Sequence, residues 1–465
     1  MELEFYGAIG GVTGSCHIVR CGEYQILLDC GLIQGRRKEE QANHNPFPFH
    51  VDDIDAVVLS HAHIDHSGRL PLLVKRGYRG PIYTQNATRD LCAVLLRDSA
   101  SLAERDAKYE NKKRAKKKME PIESLYTEAD AIKAWDHMKG LRYQQKTEIL
   151  PGISIRYQDA GHILGSCMVE IWLTENNVTR KIVFSGDIGQ YDTPILNDPT
   201  TIKEADLVMM ESTYGNRLHR DRIHTINEIG EVISKAAHEH GNVLIPAFSI
   251  GRSQELLYLM GTHYDEWKLD PWQIYLDSPM AIEASHIYWD YPHLYDEEAT
   301  RLRKNINEMP RMKNLHLTHA VEESMAINEL KSGAIILAGS GMCNGGRIVH
   351  HLKHNITRPE CHVMIVGYQA NGTLGRRLVN REEEIKIHGE FYKVNAQIHT
   401  VGGLSAHADQ NELLRWASGF ENKPMFCVVH GEAEVKQEFS QLLQKKLQLK
   451  AAVPQAGEVI DLAQI

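Results

Sequence analysis

The stretch AVVLSHAHIDHSG at residues 56–68 decides how this chain folds and which chemistry it carries. Its first four residues are apolar and predict a short buried strand. The strand leads directly into three histidines and an aspartate within six residues, namely His61, His63, Asp65 and His66. Imidazole is the commonest zinc-binding side chain, and a carboxylate completes such a site. Because one metal would not use four groups so close together, the spacing predicts two metals, with a solvated histidine-rich loop as the alternative.

Three further residues repeat this arrangement of a β-rich run that ends in a polar side chain. They are His162, Asp187 and His430. Each alone would be interpreted as a hydrogen-bonded structural residue, but beside the cluster each becomes a predicted ligand. An aspartate between two metals is a natural bridge, because each of its oxygens can face one cation. Asp29, which follows another β-rich run, is predicted to orient a ligating imidazole.

Composition sets the class of protein before any motif is considered. The chain has 465 residues, of which 42% are hydrophobic and 24% charged, as expected for a globular protein of two or three domains. Its net charge of −9, from 52 basic and 61 acidic residues, means that any nucleic-acid contact must use a local patch. No apolar run approaches the roughly 18 to 20 residues of a membrane helix, so no membrane partner is expected.

The expected compartment is the cytoplasm. Acidic residues stand at the start of the sequence, where a secretory signal would carry lysine or arginine. The eight cysteines are scattered and form no Cys-x-x-Cys pair. Such usage indicates reduced thiols and excludes a disulfide framework or a cysteine-based zinc finger.

The order of the predicted secondary-structure elements changes near residue 206. Before it, short β-rich runs alternate with turns, which is typical of a layered sheet architecture. After it, buried strands alternate with helical stretches, as in a doubly wound α/β domain. Near residue 395 the chain is expected to return to the first domain. We therefore predict an α/β protein with a first domain at 1–205 and 395–465 and an inserted domain at 206–394.

At this point the residues resemble the metallo-β-lactamase superfamily. The segment HAHIDH at 61–66 matches its His-x-His-x-Asp-His signature, and Asp29, His162 and Asp187 match its other motifs in order. The rest of the chain resembles the β-CASP branch, which includes the mRNA 3′-end cleavage endonuclease and ribonuclease J. The branch's three further motifs match Glu211, His407 and His430. The resemblance implies an αββα sandwich with an inserted doubly wound α/β β-CASP domain.

The resemblance also implies a role for each matched residue. Two Zn²⁺ ions are expected, although manganese and iron accept the same ligand types. His407 is implied as a general acid that Glu211 orients, and these two are grouped with Asp65 and Asp187 as catalytic residues. The implied ligands are His61, His63 and His162 for the first metal, Asp65, His66 and His430 for the second, and Asp187 as the bridge.

The function implied is hydrolysis of phosphodiester bonds in single-stranded RNA. Water activated by two metals and a histidine acid would leave a 5′ phosphate and a 3′ hydroxyl, by endonucleolytic or 5′-to-3′ exonucleolytic cleavage. This route does not use the ribose 2′-OH, so the chemistry alone does not separate RNA from DNA. A DNA repair nuclease of the same branch and a non-catalytic scaffold subunit of an RNA-processing complex are the alternatives, and a homodimer is left open.

Glycine-rich turns after strands of the inserted domain are the candidate phosphate sites. None matches the Walker phosphate loop, so no nucleotide cofactor is expected. The basic run at 112–118, which includes Lys112 and Lys113, is interpreted equally well as a solvated helical face or as a phosphate contact. The candidate phosphate-binding residues in the turns are Ser249, Arg252, Ser340, Gly341, Asn344, Gly345 and Arg347.

Overall fold

The computed structural model describes residues 1–35, 37–304 and 312–465. The chain divides into two compact units. The first unit contains Met1–Leu218 and His407–Ile465, and the second unit contains His219–Ala406. The second unit is thus inserted in the sequence of the first.

The strands of the first unit form two seven-stranded sheets. One has the order β22-β1-β2-β3-β4-β5-β6 and the other β21-β20-β11-β10-β9-β8-β7. Numbered along the whole chain, the strands of this unit are β1 (Glu2–Phe5), β2 (His17–Cys21), β3 (Tyr24–Leu28), β4 (Ala56–Val58), β5 (Ile82–Gln85), β6 (Met138–Leu141), β7 (Thr147–Leu150), β8 (Ile153–Asp159), β9 (Cys167–Glu175), β10 (Val178–Phe184), β11 (Leu207–Met210), β20 (Met425–Val428), β21 (Ala451–Ala452) and β22 (Val459–Asp461).

The two sheets pack face to face and helices cover their outer faces. Between the sheets lies one apolar core to which both contribute, for example Ile26 of β3 and Ile171 of β9. Outside the second sheet, Trp416 and Phe439 pack on Val208 of β11. The helices of this unit are α1 (Arg37–Glu40), α2 (Ile64–Ser67), α3 (Leu70–Lys75), α4 (Asn86–Lys116), α5 (Glu128–Asp136), α13 (Gln410–Ala417) and α14 (Ala433–Leu447), with 3₁₀ helices at Gln41–His44, Val51–Asp53 and Leu462–Gln464.

Helix α4 packs on β5 and β6 of the first sheet, while α13 and α14 carry the apolar side chains that cover the second sheet. The layers therefore follow the order helix, sheet, sheet, helix, because each sheet buries one face against the other sheet and one against helices. Among the described residues, no helix combines the length and apolar character needed to cross a membrane.

The second unit is built on a six-stranded parallel sheet with the order β14-β13-β15-β12-β16-β19. A separate hairpin pairs β17 with β18. The strands are β12 (Val243–Pro246), β13 (Gln273–Leu276), β14 (Leu315–Leu317), β15 (Ala334–Ala338), β16 (His362–Ile365), β17 (Glu384–Ile387), β18 (Glu390–Lys393) and β19 (Gln397–Thr400).

Both faces of this parallel sheet are buried, which is why its strands are apolar throughout. Along β12, Val243 and Ile245 belong to one core cluster and Leu244 to the other. This arrangement is a doubly wound α/β domain, and with the αββα layers of the first unit it confirms the predicted fold class. The helices are α6 (Arg222–His238), α7 (Arg252–Thr262), α8 (Pro279–Asp290), α9 (Glu297–Lys304), α10 (Val321–Ile327), α11 (Arg347–Asn355) and α12 (Leu374–Val379), with a 3₁₀ helix at Pro292–Leu294.

The limits of the two units differ from the predicted boundaries at 205/206 and 394/395. Strand β11, predicted to open the inserted domain, lies between β10 and β20 in the first unit. Strand β19, predicted to return to the first domain, pairs with β16 in the second unit. A four-residue apolar run does not encode its pairing partner, so the sequence placed both strands on the wrong side of the boundary.

Candidate metal centre

The predicted ligands meet because each follows a strand that ends at the same edge of its sheet. Strands β3 and β4 are parallel neighbours in the first sheet, and β10, β11 and β20 are parallel neighbours in the second. The carboxyl ends of parallel strands share one edge. The residues that follow these ends are Asp29 after β3, Ser60 and His61 after β4, Asp187 after β10, Glu211 after β11 and His430 after β20.

Seven side chains gather there in two groups suited to metal binding. In each group, one nitrogen or oxygen from every residue lies within 4.8 Å of those from the others. Histidine and carboxylate ligands in such clusters suit zinc. The first group is His61, His63, His162 and Asp187, and the second is Asp65, His66 and His430.

Asp187 lies between the two groups. Its Oδ2 is 3.4 Å from Nε2 of His61 and 3.5 Å from Nε2 of His162. Its Oδ1 is 3.2 Å from Nε2 of His66 and 3.5 Å from Nε2 of His430. The side chain is 1% exposed, and neither oxygen has a hydrogen-bond partner among the described residues. A buried carboxylate without hydrogen bonds is costly unless cations offset its charge, so the donor set fits divalent metals.

At His61, His63 and Asp187 the electrostatics favour the protonation states of metal ligands, whereas at His66 the neighbouring carboxylates, Asp187 first, outweigh burial and raise the pKa well above the usual value. Burial lowers the pKa of His61 and His63 well below the usual value, which keeps both rings neutral. Burial would raise the pKa of Asp187, but the surrounding histidines, His66 first, outweigh it and hold the pKa well below the usual range. Metal binding requires neutral imidazole and ionised carboxylate.

Asp29, predicted to orient a ligating imidazole, contacts the ring of His66. It is fully buried, and its Oδ2 lies 2.6 Å from Nδ1 of His66. The backbone N–H of Ser60 donates to Oδ1, and the hydroxyls of Ser15 and Ser60 donate to Oδ2. These contacts direct Nε2 of His66 toward Asp187.

Replacing Asp29 with alanine is expected to weaken zinc binding about 10- to 100-fold, because His66 loses the group that fixes its ring. The measurement is zinc affinity by competition with a fluorescent chelator. Asp53→Ala provides a matched control, because Asp53 is exposed at the end of the 3₁₀ helix Val51–Asp53 and is not a predicted ligand. Unchanged affinity in the Asp29 variant would contradict the orienting role.

His407 and Glu211 form a hydrogen-bonded pair at the same edge. Nδ1 of His407 lies 3.2 Å from Oε1 of Glu211, and Glu211 is fully buried. The carboxylate is fixed by backbone N–H groups of Ile188 and Thr213 at 2.7 and 3.1 Å. Burial would lower the pKa of His407, but Glu211 and then Asp187 outweigh it and raise the pKa to about 9. A histidine with this pKa carries a proton at neutral pH, as a general acid must.

Two of the candidate phosphate residues in the second unit are engaged in internal contacts. Ser249 is buried, with its hydroxyl 3.3 Å from that of Ser278. Arg252, at the start of α7, forms an ion pair with Glu255 one turn later. The remaining turn residues lie between β15 and α11, where the hydroxyl of Ser340 accepts the N–H of Asn344; Gly341 and Gly345 belong to the same turn.

Arg347 has a structural role that the sequence did not indicate. Its guanidinium donates to Oδ1 of Asp277 at 2.7 Å and to the carbonyl oxygens of Thr318 and His319 at 3.0 and 2.7 Å. These contacts tie α11 to the ends of β13 and β14. These contacts take up three of the five N–H donors of Arg347, and a phosphate contact for this residue stays a prediction.

Asp277 is the centre of that network and gives a pH-dependent prediction. It is fully buried and also accepts hydrogen bonds from Thr318, Ser324 and His351. Burial would raise its pKa, but the hydrogen bonds, that of His351 first, lower it from 3.8 to about 2. A lowered folded-state pKa stabilises the fold above about pH 4 and loses this effect as pH falls toward 2.

The Asp277→Asn variant is accordingly expected to lose about 2 kcal/mol of unfolding free energy at pH 7, and less at pH 3. Urea unfolding followed by circular dichroism at both pH values measures this. Asp270→Asn, at an exposed position of the same unit, is the matched control. An equal loss at both pH values would show that the carboxylate charge is not the cause.

Lys112 and Lys113 lie in the last turns of the 31-residue helix α4, where both are exposed. The ammonium group of Lys113 lies 4.2 Å from the ring centre of Tyr109. The structure places them on a solvated helical face of the first unit, and a contact with RNA phosphates stays a prediction.

Sequence reasoning missed two serines and one histidine near the cluster. Ser15 and Ser60 bind Asp29, and the position of Ser60 directly before His61 was the available signal. His17 is fully buried between the rings of Phe5 and Phe184, and neither ring nitrogen has a partner among the described residues. Burial lowers the pKa of His17 to about 3, so its ring is neutral.

Three family models match the chain in succession. The metallo-beta-lactamase superfamily domain matches residues 18–213, the Beta-Casp domain matches 253–378, and the Zn-dependent metallo-hydrolase RNA specificity domain matches 392–454. These matches cover the cluster, strands β13 to β16 of the second unit and the segment that carries His407 and His430. They confirm the family resemblance that the sequence indicated.

Relatives extend the similarity over nearly the whole chain. Ribonuclease TTHA0252 of Thermus thermophilus is 38% identical over 434 residues, which are 93% of this chain and 94% of the relative. Transcription termination factor FttA of Methanocaldococcus jannaschii is 29% identical over 465 residues, covering 98% of this chain and 70% of the relative. The chain therefore belongs to the β-CASP family of the metallo-β-lactamase superfamily.

A solved structure shows the same fold at much lower sequence identity. It is a protein of unknown function from Enterococcus faecalis V583, with a TM-score of 0.55 and 13% identity over 99% of both chains. At this identity the likeness concerns the fold alone.

Proposed function

We propose that this protein is a metal-dependent ribonuclease that hydrolyses phosphodiester bonds of single-stranded RNA and leaves 5′ phosphates. The observation that carries the proposal is the position of the His407–Glu211 pair beside the two ligand groups, with Asp187 3.9 Å from His407 Nδ1. A proton donor next to two cation-binding groups suits cleavage of a charged phosphodiester.

The metals would be two zinc ions, with manganese as the substitute that the same ligands accept. His61, His63 and His162 would hold one, and Asp65, His66 and His430 the other, with Asp187 shared. Bound divalent cations lower the pKa of water and neutralise charge on phosphoryl oxygens. The support for this assignment is the buried Asp187 carboxylate, whose two oxygens face different histidine pairs.

Glu211 and His407 would then supply the proton that the leaving oxygen needs. Glu211 would hold Nδ1 of His407 and keep the ring protonated, since its own carboxylate is fixed by two backbone N–H groups. His407 would give its Nε2 proton to the departing 3′ oxygen of the RNA. Donation at this step is typically worth about 10²- to 10⁴-fold in rate.

The sequence similarities of this chain favour RNA over DNA as the substrate. The matched domain at residues 392–454 is described as an RNA specificity domain, and the relative that is 38% identical is named a ribonuclease. A DNA repair nuclease is the second candidate because the chemistry needs no 2′-OH.

Cleavage of matched 5′-labelled single-stranded RNA and DNA by the zinc-loaded protein tests the proposal. We expect RNA to be cut, products to carry 5′ phosphates, chelation to abolish cutting, and two zinc ions per chain by elemental analysis. The Asp65→Ala variant is the inactive control. Equal cleavage of DNA would favour the second candidate, and no cleavage by the metal-loaded protein would overturn the proposal in favour of a non-catalytic subunit.

We also propose a cytoplasmic location. The support is that all eight cysteines are buried and unbridged, as expected in a reducing compartment. Cell fractionation with an antibody against the chain tests it. Light scattering of the zinc-loaded protein decides between a monomer and the homodimer that the sequence left open.

A further inference from the structure

Phe248 is an aromatic residue with an exposed ring in the second unit. It follows β12 and is 46% exposed. A Cβ atom on Gly341 would lie 2.8 Å from Cδ2 and 2.9 Å from Cε2 of the ring, and one on Gly367 would lie 3.9 Å from Cε2. Because both neighbours are glycines, the ring lies directly against two backbone turns.

Hydrogen bonds fix this arrangement. The carbonyl oxygen of Phe248 accepts the hydroxyl of Ser253 at 2.7 Å and its N–H at 3.3 Å. The amide of Gln369, which is 3% exposed, donates to the carbonyl oxygens of Gly341 at 2.9 Å and Gly367 at 3.2 Å. The side chain of Gln369 thus ties together the two turns that support the ring, so the ring is pre-organised.

The position of the ring in the sheet suits a ligand. The turns that carry Phe248, Gly341 and Gly367 follow β12, β15 and β16, which are neighbouring parallel strands. In doubly wound domains, ligands bind at the carboxyl ends of such strands. Tyr368, which is 58% exposed, follows Gly367 directly and adds a second aromatic side chain to this edge.

We propose that Phe248 is a stacking platform for one base of the single-stranded RNA, with Tyr368 beside it. The inference rests on the proposed function, and it names a substrate contact that lies outside the metal centre. A single exposed apolar residue is ordinary on a protein surface. Here, however, the ring lies against glycines of two turns that a buried amide ties together, and such a fixed backbone surface is what a rigid platform for a flat, uncharged base requires. Stacking accepts every base, because each base has a π face.

Single-turnover cleavage of labelled RNA by the zinc-loaded enzyme, at increasing enzyme concentration, tests the platform. We expect Phe248→Leu to raise the half-saturating concentration about 10-fold with little change in maximal rate, since leucine keeps the apolar contact but has no ring. Phe248→Trp is expected to retain tight binding. Phe391→Ala is the matched control, because Phe391 is 63% exposed on the β18 strand of the same unit.

RNAs with a single abasic position locate the stacked base. For the wild type, we expect one position at which base removal raises the half-saturating concentration about 10-fold. In Phe248→Leu the same substrate should carry no further penalty, because the base has lost its partner. Unchanged binding in Phe248→Leu, or penalties that add at every position, would overturn the platform while leaving the ribonuclease intact. Failure of the wild type to cut any RNA would overturn both.

Discussion

The Asp187→Asn variant is expected to bind fewer than two zinc ions per chain and to cleave RNA at least about 10⁴-fold more slowly than the wild type. Asparagine has nearly the same shape but no negative charge. Its amide group would face one of the two histidine pairs with N–H donors, where Asp187 now presents an oxygen. Both predicted metal sites would therefore lose a ligand or a favourable charge in one substitution.

Elemental analysis and single-turnover cleavage give the two readouts. Asp192→Asn is the matched control, since Asp192 is exposed and lies five residues further along the chain. Thermal unfolding followed by circular dichroism shows whether the variant keeps its fold. Two zinc ions per chain together with wild-type cleavage would contradict the bridging role of Asp187.

The second large effect is expected at His407. His407→Ala should slow RNA cleavage about 10²- to 10⁴-fold while zinc content stays at the wild-type value. The reason is that its ring is held by Glu211 at 3.2 Å and has a pKa raised to about 9, which suits a proton donor. A phosphodiester with a nitrophenolate leaving group needs no proton at that oxygen, so the variant should cleave it at nearly the wild-type rate.

Two outcomes would assign His407 differently. Loss of zinc would make it a ligand, because its ring also lies within 4.8 Å of Asp187 and Glu211 in a group that suits a metal. Equal slowing on both substrates would indicate a structural effect instead of proton donation. His50→Ala, at an exposed position of the same unit, is the matched control.

The family and fold class were predictable because their signals are local. Residues 56–66 place a strand and four candidate metal ligands in one continuous stretch, so no distant contact is needed to recognise it. The alternation of buried strands and helices after residue 206 similarly predicts a parallel sheet. The ligand assignment itself stays a prediction that zinc counting tests, and the structure adds that the seven side chains lie close together.

The role of Arg347 was not predictable for a different reason. In sequence it stands at the end of a glycine-rich turn, a place that favours phosphate binding. In the structure, Asp277 and two carbonyl oxygens from residues 29 and 28 positions earlier accept three of its N–H donors. Only tertiary contacts at such separations distinguish an internal guanidinium from one directed at a ligand.

By itself, the sequence determined the β-CASP architecture, the candidate metal-binding loop at residues 61–66 and the candidate proton donor His407, because each depends on residue types at fixed short spacing. The tertiary structure decided which sheet receives β11 and β19, how Asp187 divides its oxygens between two histidine pairs, and why the ring of Phe248 lies against two glycines. These depend on strand pairing and packing between distant segments, and a pattern of neighbouring residues does not encode them.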